Sequence, residues 1–92
     1  MAMNPDTFTF INARDAADRL LESVGIEAYL FEVEPDGSAW HLTVECATED
    51  GWQRLALDVD GAELLASCSD HAAFGRLEDH LRARLQDCRR NG

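Results

Sequence analysis

The chain has 92 residues, 46% of them hydrophobic, and a formal net charge of −10. That length accommodates one domain and one core, with roughly 60–65% of the unfolded surface removed from water on folding. The apolar content is that of a folded protein, so the charge alone does not indicate disorder.

All eight basic residues are arginines and none is lysine, a bias that resembles coding from a GC-rich bacterial genome. Residues 1–10 carry no positive side chain and include Asp6, and no stretch approaches the roughly 18 apolar residues that cross a membrane. Cys46, Cys68 and Cys88 are odd in number and irregular in spacing, which predicts reduced thiols and no disulfide framework. Together these features place the protein in the cytoplasm.

In chain order, residues 1–11 form either an extended arm, rich in β-formers from Thr7 to Ile11, or an early helix start at Pro5. Asn12 is a cap for a helix with Asp15 in its first turn, and Ala13, Ala17, Leu20, Leu21 and Val24 share one face of it. Gly25 stops that helix and lets Ile26 fold back on Leu21.

From Glu27 to Val59 the apolar period changes to two. Tyr29, Phe31 and Val33 line one strand face; Trp40, Leu42, Val44 and Cys46 line a second; Leu55, Leu57 and Val59 line a third. The dipeptides Asp36-Gly37 and Asp50-Gly51 serve as two-residue hairpin turns. In that register Val33 opposes Trp40, Phe31 opposes Leu42, and Cys46 opposes Leu55. Asp60 to Glu63 reads as a capping box before a short helical turn, with Glu63 reaching back to the cap. Ser69 then caps a longer helix whose stripe of Phe74, Leu77, Leu81, Leu85 and Cys88 runs nearly to the terminus. Gly75 weakens this helix locally and permits close approach to the sheet.

The predicted fold is therefore α+β: a two-layer sandwich in the order α-β-β-β-α, one domain over residues 1–92. Its three-stranded antiparallel meander carries two main helices on one face. Residues 22–70 hold twelve acids against one arginine, while residues 71–92 hold three acids against five arginines. The topology resembles that of double-stranded RNA-binding domains. Such domains begin their second helix with phosphate-gripping lysines, and Ser69-Asp70-His71-Ala72-Ala73 offers no fixed positive charge, so no nucleic-acid partner is expected.

Chemical motifs are weak. Cys68 with His71, and His80 with Cys88, lack paired zinc-ligand spacing, and the acidic turns at Asp50 and Asp60 lack the later ligands of a calcium loop. Ser69, Asp70 and His71 are adjacent, so their side chains diverge and do not form a triad. No phosphate cradle, nucleophile elbow or H-E-x-x-H motif occurs. No catalytic residue, metal, cofactor or membrane contact is expected.

Strand parity instead turns Ala28, Leu30, His41, Thr43, Trp52, Arg54 and Ala56 away from the helices. Leu30 and Trp52, ringed by Glu32, Glu34, Glu45 and Asp58, resemble an interface with an apolar centre and a charged rim. Two other arrangements are open: Trp52 folds over the sheet edge, or an N-terminal arm with Phe8 and Phe10 covers the face. The reading is a protein-interaction module that docks a partner or itself, as a homodimer, through Leu30, Glu32, His41, Thr43, Trp52 and Arg54. In size, charge and class alone it resembles small acidic adaptors such as secretion chaperones or immunity proteins. The alternative is a small ligand- or metal-binding regulator using His41, His71 or His80.

Overall fold

A computed structural model describes residues 7–90, in the order α1 (Thr7–Val24), β1 (Tyr29–Asp36), β2 (Ala39–Thr48), β3 (Gly51–Asp60), α2 (Gly61–Ala66) and α3 (His71–Arg84). The sheet is an antiparallel meander in the order β1-β2-β3, with all three helices against one face. This is the α+β arrangement that the periodicities predict.

The central strand shows why. Along β2 burial alternates without a break, so that Trp40, Leu42, Val44, Cys46 and Thr48 face the helices. The first four meet Ala13, Ala16, Ala17, Leu20, Leu21 and Val24 of α1, and Leu77 and Leu81 of α3, in one core cluster.

Both hairpin registers differ from the expected ones by two residues. Val33 opposes Leu42 and Pro35 opposes Trp40, while Val44 opposes Leu55 and Cys46 opposes Gln53. The first loop is Gly37-Ser38, with Gly37 at φ 63° and no other residue type at positive φ. That is the type II′ arrangement, which asks only the first loop residue to be left-handed, whereas an Asp36-Gly37 type I′ turn would strain Asp36 as well. At the second loop, Glu49-Asp50, the Thr48 hydroxyl donates to Gly51 O at 2.8 Å and accepts from Asp50 N at 3.2 Å. A slip of two preserves side-chain parity. The inward and outward sets are therefore those read from the sequence.

Four helix expectations need correction. The first helix does not begin at an Asn12 cap: residues 7–11 are already helical, and the Phe10 ring packs 6.1 Å from that of Trp40. Tertiary packing overrides the local β-preference there. Residues 1–6 of the proposed arm, with the Pro5 start, lie outside the described residues. The capping box is only half formed, since Asp60 accepts from Glu63 N at 2.9 Å while the Glu63 carboxylate turns to Arg76 at 2.6 Å, joining α2 to α3. Asp70, not Ser69, caps α3 by accepting from Ala72 N at 2.9 Å. Finally, α3 ends at Arg84, and a further turn brings Cys88 back to the sheet.

There the cysteine expectation is overturned. Cys46 and Cys88 form a disulfide with 5.6 Å between Cα atoms, leaving Cys68 free and exposed. An odd count concealed a pair plus a remainder: strand parity sends Cys46 inward, and the turn after α3 carries Cys88 onto it. Beside the bridge, Arg89 N donates to Ala47 O at 2.8 Å and Glu27 N donates to Arg89 O at 2.9 Å. Arg89 thus fills the ladder position next to β2 just before β1 begins.

Closing a loop of 42 residues restricts the unfolded chain by about 4 kcal/mol on the chain-entropy model. Reduction should therefore lower the urea midpoint by an amount worth about 2–4 kcal/mol, measured by circular dichroism with and without reductant in a Cys68→Ser background. Alkylation of the denatured, unreduced wild-type protein should mark one cysteine, and three after reduction.

Two glycines make opposite predictions. A Cβ at Gly61 would stand 2.7 Å from Ser38 O and 3.2 Å from the Trp40 ring, so Gly61→Ala should cost about 1–3 kcal/mol in denaturant unfolding. Gly75 does not lie in close approach to the sheet, because a Cβ there meets nothing within 4 Å. Gly75→Ala should stabilise α3 by about 0.5–1 kcal/mol in the same assay.

Candidate interaction face

Because the helices occupy one side of the sheet, the other side is a floor of outward-pointing side chains. Its cross-strand rows follow from the register: Glu34, His41, Asp58; then Glu32, Thr43, Ala56; then Leu30, Glu45, Arg54; then Ala47 with Trp52. All six of the residues chosen from the sequence stand on this face. Leu30 and Trp52 are 64% and 60% exposed, values that among the described large apolar residues only Ile11, on α1, approaches at 57%.

Their arrangement differs from the expected one. Leu30 is on β1 and Trp52 on β3, the two edge strands, with Glu45 and Ala47 of β2 between them. Two strand spacings across and two residues along separate them, about 12 Å. The face therefore has two apolar points astride a charged centre, not an apolar centre with a charged rim. Parity predicted which residues face out, but lateral order across three strands depends on register. Trp52 is too exposed to be folded into the core. Phe10 packs on Trp40 on the helical side, so it does not cover this face; the Phe8 side chain lies outside the described set.

The polar groups are partly ordered. His41 Nδ1 lies 2.7 Å from Asp58 Oδ1. Arg54 has no ion pair among the described residues, although it stands opposite Glu45 in the ladder. A hollow of about 530 Å³ wraps the β1 edge and is lined on the outer face by Leu30, Glu32, Thr43, Glu45 and Arg54. Its inner wall is held by the Tyr29 hydroxyl donating to Asp18 at 2.8 Å, and by the Arg14 guanidinium 5.8 Å from the centre of the Phe31 ring. Burial, followed by that hydrogen bond and by the charges of Asp18 and Glu22, pushes the Tyr29 phenol well above its ordinary pKa. It stays a neutral donor. The tie between α1 and β1 was not foreseen, because Asp18 reads in sequence only as a polar position on a helix.

His71 and His80 lie on α3, away from His41 on β2. Among the described residues no three His, Cys, Asp or Glu side chains are grouped as metal ligands, and no helix there is long and apolar enough to cross a membrane. Compared with known proteins, the chain has no counterpart that would assign it: no family model, no curated protein and no solved structure matches.

Proposed function

We propose that this chain is a small acidic protein-interaction module, and that its open sheet face is the surface that binds. The observation carrying this reading is the pairing of two well-exposed large side chains, Leu30 and Trp52, on a rigid sheet that no other described element covers. Such groups supply contact area at low entropic cost, and Trp in particular anchors interfaces. Glu32, Glu34, Glu45 and Asp58 around them favour a partner surface bearing arginine or lysine, chiefly through approach rate and selectivity. The acidic field also disfavours a polyanion, so the reading includes no nucleic-acid partner.

The module has no catalytic step and no cofactor in this reading. The alternative of a metal-binding regulator draws no support from the spacing of His41, His71 and His80. As to compartment, the disulfide withdraws the argument from reduced thiols for a cytoplasmic location. Structural bridges persist mainly in oxidising surroundings, and we place the protein there.

The test is a pair of substitutions, Leu30→Ser and Trp52→Ser, in an affinity-tagged chain. Each should weaken capture of a bound protein partner by about tenfold or more, while the circular dichroism spectrum and urea midpoint stay near wild type. Unchanged partner binding in the double variant would refute the face as the docking surface, and loss of binding on chelation in place of substitution would favour the metal-binding alternative.

A further inference from the structure

The two edges of the sheet are unequal. An antiparallel strand directs the backbone groups of alternate residues to opposite sides, and fixed points settle which side is which. Gly61 N donates to Ser38 O at 3.0 Å, continuing the β2–β3 ladder, so the odd-numbered residues of β3 bond to β2. Ala56 O, by contrast, accepts from the Arg84 guanidinium at 3.3 Å. The backbone groups of Trp52, Arg54, Ala56 and Asp58 therefore point to the free edge. The same logic sends Tyr29, Phe31, Val33 and Pro35 to the β1 edge, where Pro35 has no N–H to donate. Self-pairing there about Val33, the middle of the strand, would also bring Glu32 and Glu34 against each other. The β1 edge is guarded; β3 offers ten residues with no proline.

The geometry points to a second copy of this chain as the occupant of the β3 edge, joined antiparallel about a two-fold axis at Ala56. This goes beyond the interaction reading, because the β3 edge is a different surface from the open face. Charge selects the register. With Ala56 opposite Ala56 of the second copy, Arg54 of each chain stands beside Asp58 of the other, twice over. Moving the axis by two residues would oppose Arg54 to Arg54 and place like charges together; an axis at Leu55 sets Arg54 against Ala56, and one at Leu57 sets it against Asp60, whose carboxylate is already engaged as the cap of α2. In the selected register the outer row runs Glu34, His41, Asp58, then Arg54 and Glu45 of the second copy, so that the Arg54 guanidinium lies between two carboxylates at the junction. On the inner side Leu55, half-buried in the single chain, meets Leu57 of the second copy. Each Ala56 N–H donates to the opposite Ala56 carbonyl, and the exposed Arg84 side chain swings off. Two three-stranded sheets become one of six strands, an isologous closed pair that leaves only the guarded edges outside.

Sedimentation equilibrium on the intact chain tests this. The wild type, 10.2 kDa as a single chain, should sediment at twice that mass. Arg54→Asp or Asp58→Arg alone should weaken the dimer by about tenfold or more, and the double variant Arg54→Asp/Asp58→Arg should restore it. Ala56→Pro, which removes an N–H not used within the chain, should give a monomer; circular dichroism confirms that each variant is folded. A monomeric wild type, or a double variant that fails to recover the dimer, overturns the edge pairing. Leu30→Ser separates the two readings, because Leu30 lies on the far strand. If it leaves the dimer intact but abolishes capture of another protein, both readings stand; if the wild type is monomeric yet Leu30→Ser abolishes that capture, the edge pairing alone falls.

Discussion

The unbroken alternation along β2 is the constraint on which the rest of the molecule depends. This strand alone has neighbours on both sides, so its inward row of Trp40, Leu42, Val44, Cys46 and Thr48 fixes where the helices pack. Its outward row of His41, Thr43, Glu45 and Ala47 fixes what the exposed floor is made of. A period of two admits no compromise: a slip of one residue would bury Glu45 and His41 and expose the whole apolar row. Each hairpin turn slips by two against its expected position and the architecture is unaffected.

The helical layer is fastened to the sheet at several places of different chemistry. Trp40 receives Phe10 from α1 and lies against the bare backbone of Gly61. Tyr29 ties the edge of β1 to Asp18. At the opposite end of the core the Cys46–Cys88 bridge and the backbone bonds of Arg89 hold the segment after α3 against the start of β1 and the end of β2. The Ser23 hydroxyl donates to Glu78, and Glu78 pairs with Arg82 in turn, so the end of α1 is also tied to α3. Surface pairs of this last kind contribute little individually. The sheet face left over carries no comparable fastening, which is why its side chains remain available.

Much of this was legible because it depends on periodicity. The identity of the strands, the stop at Gly25 and the outward set containing Leu30, Trp52 and Arg54 all follow from local spacing. What was not legible depends on distances between elements. The cap at Asp70 displaced Ser69 because the two adjacent residues offer similar chemistry, and only the entry angle of α3 chooses between them. The disulfide escaped because Cys46 and Cys88 are distant in sequence and an odd count suggested none would pair. The lateral separation of Leu30 and Trp52 needed the strand order and the register together. Most far-reaching, Pro35 marks a guarded edge only once the register shows that its missing N–H falls on the free side of β1, and local spacing misplaced that register by two.

The cross-link also changes how the molecule would respond to cleavage. The stretch between Cys46 and Cys88 is a covalent ring containing β3, α2 and α3, whereas α1 and β1 hang from it as an open tail. A protease that nicks the ring once, for instance at the exposed Cys68–Asp70 corner, leaves a single covalent molecule whose helices stay docked. A nick in the tail near Glu27 and Ala28 would instead leave α1 secured by packing alone. The polypeptide is thus a lasso in its connectivity, protected where it is closed and vulnerable where it is not.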